Sequence, residues 1–163
     1  MANHASLITQ DVKGEKMGLT YEEFELGAVY DTQPRTITEA DVVNFAGLSG
    51  DFNPIHTDAE VAKNGPFGER IAHGMLTVAI STGMANMTGL MAGTTIALLE
   101  QNIKYKGAVK FGDTVRLQME VIEKRETSKP DRGIVKLAAR VYNQRDEVVV
   151  DMIWTQLMKR QGE

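Results

Sequence analysis

The stretch IAHGMLTVAISTGMANMTGLM, Ile71 to Met91, contains no Asp, Glu, Lys or Arg, and neither does the chain on to Leu99. A neutral run longer than the ~20 residues that cross a bilayer is either a membrane span or a helix enclosed in protein. Its composition selects the second. Gly74, Gly83, Gly89 and Gly93 are mixed with His73, Asn86 and several Ser and Thr, while large aliphatics are sparse. Insertion into lipid rewards Leu, Ile, Phe and Val. The run therefore predicts a buried helix of about five turns starting near His73 or Gly74. Its small residues (Ala72, Ala79, Ser81, Gly83, Ala85) let a second backbone layer approach closely, and its methionines fill uneven gaps.

From Thr94 the period changes. In DTVRLQMEVIE, Val115, Leu117, Met119 and Val121 alternate with Thr114, Arg116, Gln118 and Glu120, the pattern of a strand with one wet face. TTIALLEQNIKYKG precedes it; GIVKLAARVYN and VVVDMIWTQLMK follow it, joined by the polar turn NQRDE. Four successive strands with short connections imply an antiparallel sheet. A short strand is expected near Ala28–Thr36, then a helix capped by Thr38 and ending at Gly47 and Gly50. TDAEVAKNG reads as a short helical turn capped by Thr57 or Asp58 and stopped by Asn64-Gly65-Pro66. One long helix, buried on all sides and followed by such a sheet, implies that the sheet curls around it. This is an α+β hot-dog fold: a single domain over residues 19–163, with residues 1–18 a flexible arm. One wrapped helix leaves a strand edge and an apolar face uncovered, so a homodimer or a larger homo-oligomer is expected.

The 163 residues suit one such domain. A formal charge of −4, with 42% hydrophobic and 25% charged residues, argues against nucleic acid as a partner and against disorder. The N-terminal MANHASLITQDVKGEKMG has no sustained apolar core or cleavage pattern, so no signal peptide and no membrane attachment are expected. Cysteine is absent, which removes disulfides, thiolate metal sites and thiol nucleophiles and fits a cytoplasmic location. With only His4, His56 and His73 available, a three-histidine metal site would have to recruit the tail, and no metal is expected.

Chemistry concentrates in SGDFNPIHTD, Ser49 to Asp58. Gly50, Asn53 and Pro54 interrupt regular structure, and bend the chain so that Asp51 and His56 converge. A surface loop in which Asp51 caps a turn and His56 is a satisfied loop histidine fits the same letters. No phosphate-binding glycine loop, nucleophile elbow or metal-ligand spacing occurs.

FAGLSGDFNPIHTDAEVA, followed by IAHGML and by KFGD at Lys110–Asp113, resembles the signature of the MaoC-like (R)-specific enoyl-CoA hydratases and dehydratases. The resemblance runs from about residue 20 to the C-terminus, and its G-D-x-N-P-x-H core is fairly specific. It implies that Asp51 and His56 form an acid–base dyad. The dyad adds water across the double bond of a 2-enoyl thioester, or removes it from a 3-hydroxyacyl thioester. One group activates water at C3, the other handles the proton at C2, and the roles exchange in reverse. Aspartate in water is a weak base titrating near ~3.9, so the mechanism calls for partial desolvation. No cofactor is implied, since CoA or phosphopantetheine belongs to the substrate, carried as acyl-CoA or on acyl carrier protein.

Gly74, at the predicted start of the buried helix, is placed to offer its N–H to the thioester oxygen, where a side chain would obstruct approach. Packing is the alternative for this glycine. His73 is read as packing or orienting the loop, and Asn53 as bonding the loop or the dyad. Thr82, with Ser81, is a candidate hydroxyl near the dyad. Lys104, Lys106 and Lys110, with Arg116, form a basic cluster for CoA phosphates or a solvated strand face. The rival readings are a hot-dog thioesterase and a non-catalytic acyl-thioester-binding module.

Overall fold

The computed structural model describes residues 18–161. In chain order the elements are β1 (Val29–Asp31), β2 (Arg35–Thr36), α1 (Glu39–Ser49), α2 (Pro54–Thr57), α3 (Ala59–Lys63), α4 (Gly74–Met87), β3 (Thr95–Tyr105), β4 (Thr114–Glu126), β5 (Arg132–Tyr142) and β6 (Val148–Lys159). The sheet runs β1-β4-β5-β6-β3 with every neighbouring pair antiparallel, and β2 pairs beside it with β4. The alternation in β4 is realised: Val115, Leu117, Met119 and Val121 are buried, and the residues between them are half-buried. They join Leu137, Met152 and Trp154 in one core with Leu76, Val78, Ile80, Met84 and Ala85 of α4. The sheet wraps the helix, and the fold is the hot-dog.

Local chemistry accounts for the boundaries. Thr38 and Asp41 form a reciprocal capping box at the start of α1. The expected strand near residues 28–36 divides into β1 and β2 around Pro34, which cannot donate to a ladder. Asp58, rather than Thr57, caps α3, accepting from the N–H groups of Glu60 and Val61.

Helix α4 differs from expectation in two ways. It has 14 residues and is shorter than five turns. It ends at Thr88, whose hydroxyl bonds back to Ala85 O and accepts from Leu90 N–H, drawing the chain into a turn. Nor is it buried on all sides. Met75, Ala79, Gly83 and Met87 form an exposed uncharged stripe at i, i+4 spacing. The reading of residues 1–18 as an arm lies, but for Gly18, outside the described residues. Gly18 itself is held by its N–H to Ala92 O.

Candidate active site

The segment between α1 and α2 is shaped by its own polar atoms. Gly50 ends α1 at φ 76°, a left-handed conformation that glycine adopts without penalty, with its N–H bonded to Ala46 O. Asp51 N–H donates to Ser49 Oγ, and Asp51 Oδ1 accepts from Asn53 N–H at 3.2 Å. Asn53 Oδ1 in turn accepts from Ile55 N–H, which caps α2. The stretch is therefore less hostile to helix than its letters suggest. Pro54 occupies the first helical position, where a missing N–H costs nothing, and His56 stands on a helical turn.

Two main-chain oxygens fix two imidazoles. His56 Nδ1 lies 2.8 Å from Ile71 O, and His73 Nε2 lies 2.9 Å from Asp51 O. A carbonyl only accepts, so each of these nitrogens carries a proton, which in a neutral ring puts the lone pair on His56 Nε2 and His73 Nδ1. The rings stack, with centroids 3.8 Å apart and planes at 29°. One ligand-type atom from each of Asp51, His56 and His73 falls within 4.8 Å of the others. Metal coordination needs the ion near the plane of each imidazole. Rings stacked at 3.8 Å and 29° meet that condition poorly, so the cluster suits proton transfer better than a shared cation.

These groups line a cavity of about 750 Å³ with Phe45, Gly74, Thr77, Tyr105 and Lys106. Asp51 is exposed, His56 is half-buried and His73 is buried. Gly74 begins α4, where His73 supplies no side-chain cap, so first-turn N–H groups remain available at the cavity wall. A Cβ on Gly74 would lie 2.6 Å from Tyr105 Cε1. A side chain at 74 would therefore have to displace the exposed Tyr105 ring.

The remaining candidates separate. Thr82 donates to Ala79 O and Ser81 to Val78 O, and neither lines the cavity; the threonine on its wall is Thr77. Of the cationic cluster, Lys106 reaches the cavity and Lys104 is exposed on β3. Lys110 pairs with Glu69, and Arg116 pairs with Asp31 and Asp146 while lying over the Tyr142 ring. Asp113 of KFGD is buried and accepts from Lys110 N–H and Gln144 Nε2, with Arg145 beside it. Burial pushes its carboxyl up, but those hydrogen bonds and the Arg145 charge prevail and hold it below the ordinary range. The turn it braces sets the cavity wall, because Ala72 N–H donates to Val109 O across it.

Tyr105 and Thr77 had not been singled out in the sequence. Tyr105 becomes legible only through register, being paired with Val150 on the strand beside it.

The MaoC-like domain model matches residues 23–143. A 3-hydroxybutyryl-CoA dehydratase of Methylorubrum extorquens is 33% identical over 133 residues, covering 82% of this chain and 80% of that protein. Among solved structures, the R-hydratase PhaJ1 of Pseudomonas aeruginosa superposes with a TM-score of 0.73 at 37% identity, covering 89% of this chain and 88% of that one. A MaoC-like dehydratase from Rhodospirillum rubrum gives 0.83 at 27% identity, covering 90% and 100%. With the sheet wrapped on α4 and Asp51, His56 and Gly74 gathered at one cavity, the chain belongs to the MaoC-like dehydratase family.

Proposed function

We propose that this protein is a hydratase of 2-enoyl thioesters, and in reverse a dehydratase of 3-hydroxyacyl thioesters, (R)-specific and acting on CoA substrates through Asp51 and His56. The observation that carries the reading is the meeting of a carboxylate and a tautomer-fixed imidazole at a cavity walled by the uncapped start of α4. Of the relatives named above, one is by name a 3-hydroxybutyryl-CoA dehydratase and another an R-hydratase, which supports the reading.

The chemistry is a balanced addition. The oxygen of water bonds to C3 as its proton passes to one member of the dyad, and C2 gains a proton from the other. In the transition state the thioester oxygen gains charge, which Gly74 N–H can stabilise as a first-turn donor aided by the helix dipole. Asn53 holds the Asp51 carboxylate from its main chain. Lys106, at the cavity, is the cation placed to meet a phosphate of the carrier. Asp51 is exposed in the single chain, so substrate and a second subunit would supply the desolvation that a working aspartate base needs.

Crotonyl-CoA tests the proposal. Loss of the enoyl absorbance without free thiol, giving the (R)-3-hydroxy product, supports it. Thiol release would indicate a thioesterase, and binding without turnover a non-catalytic module. Turnover only with the acyl-carrier-protein substrate would move the carrier but keep the reaction.

A further inference from the structure

His73 is 2% exposed, and its Nδ1 is a buried atom without a hydrogen-bond partner among the described residues. Buried polar atoms are nearly always paired, so an orphan this close to the dyad calls for a reason. The reason lies in what the rest of the ring does. Its Nε2–H donates to the main-chain oxygen of Asp51, its face lies against His56, and Phe45 closes over it with ring centroids 5.1 Å apart. It is also the residue directly before Gly74. One side chain thus touches both dyad members from the point where the oxyanion donor begins.

We propose that His73 is the positioning residue of this site. Its Nε2–H holds the Asp51 main chain, its ring sets the plane of His56, and Nδ1 is left without a partner because Nε2 is the nitrogen turned to Asp51 O. His73 acts through its neighbours and meets no reacting atom. The inference rests on the hydratase reading for its kinetic consequence, but its structural part stands apart from activity.

Substitutions separate the two contacts. His73→Phe keeps a ring for the stack and removes the donor, whereas His73→Gln can place an amide N–H near the former Nε2 and removes the stack. Misplacement of a catalytic group by about 1 Å can cost ~10²-fold. His73→Phe should lower kcat by ~10- to 100-fold with KM nearly unchanged, and His73→Gln should recover a good part of the loss. Thermal melts identify the folded fraction to which rates are normalised.

Long-range ¹H–¹⁵N spectra at pH 7.5 give an independent readout, because the chain has only three histidines. They should show His73 as the Nε2–H tautomer and His56 as Nδ1–H, and His73→Gln assigns the signals. Overturning results are wild-type kcat per folded molecule in both variants, a Phe variant no worse than the Gln variant, or an Nδ1–H tautomer at His73. Should the protein fail to hydrate enoyl-CoA, the hydratase reading falls while the tautomers still decide whether His73 holds Asp51. If the Phe variant does not fold, the Gln variant and the spectra carry the decision.

Discussion

Gly74 lies so close beneath the ring of Tyr105 that a methyl group at 74 would meet Cε1 at 2.6 Å. Two demands therefore converge on one glycine, contact with that ring and access for a thioester oxygen, and a double variant separates them. Gly74→Ala should lose stability and also turnover, by ~10²–10³-fold if the oxyanion geometry is blocked. Adding Tyr105→Ala makes room for the methyl group and should restore the melting temperature that the single change took away. If the rate, compared with Tyr105→Ala alone, stays low in the stable double variant, the N–H polarises substrate. Full recovery of both would assign the glycine to Tyr105 alone.

Asp51→Asn and His56→Ala should each reduce crotonyl-CoA hydration by at least ~100-fold, the lower range for losing a positioned acid or base. The loop should survive. Its shape comes from Gly50, the Asn53 cap and Pro54 at the first turn of α2, none of which either change removes. Rates read beside circular dichroism and melting temperature check this, and near-wild-type turnover in a folded variant would remove the dyad from the mechanism.

Lys106→Ala should raise KM for a CoA substrate by roughly fivefold with kcat unchanged, about 1 kcal/mol of carrier binding. Lys110→Ala should do less, since that ammonium is occupied by Glu69. An equal effect from both lysines in a titration of crotonyl-CoA would mean a diffuse positive field rather than a contact.

How much of this was legible in the sequence follows from which interactions are local. The period of β4, the Thr38 cap and the neutral run of α4 each lie within one element, and each was readable. That Asp51 and His56 lie near one another was readable because a single short loop carries both. The Tyr105 ring on Gly74 was hidden, since it needs β3 laid in register beside the start of α4. Thr82 meets the same limit. Two turns beyond Gly74 is a correct distance along the helix, but its hydroxyl bonds to Ala79 O rather than reaching the cavity that takes Thr77. The failure of "buried on all sides" is of another kind. A helix without charges is a statement about its final surroundings, and one chain supplies only part of them.

That exposed stripe leads to a prediction of assembly. Met75 is 53% and Met87 85% exposed on α4, and β3 ends the sheet order with β6 as its only neighbour there while Leu99 on it is 52% exposed. An edge strand with exposed Ile96, Leu98 and Leu99, together with an apolar helix face, is a surface that soluble proteins cover. A second copy covers it at no cost in specificity, since a twofold axis brings the same patch to itself. Sedimentation at micromolar concentration should give a dimer or larger, and Met87→Glu should weaken it; a monomeric wild-type chain would sink the prediction.

Acid should attack the fold through Asp113. Burial raises its carboxyl, but the hydrogen bonds from Gln144 and Lys110 N–H and the charge of Arg145 leave it below the ordinary range. A carboxylate whose folded pKa lies below its unfolded value of ~3.9 contributes stability in full above that unfolded value. The contribution is lost as the pH falls from there through the depressed folded pKa, where protonation removes the charge that Gln144, Lys110 N–H and Arg145 meet. Asp113→Asn should therefore cost about 1–3 kcal/mol at pH 7, the range for breaking a buried hydrogen-bonded group. The gap between the variant and the wild type should begin to narrow below about pH 4 and close only as the pH passes the depressed folded pKa. Urea melts at pH 7, 5 and 3.5 give the comparison. Because Asp113 braces the turn behind Ala72 and Val109, activity at pH 7 should fall along with stability. A variant equally stable at every pH, with unchanged turnover, would show that the turn holds its shape without that carboxylate.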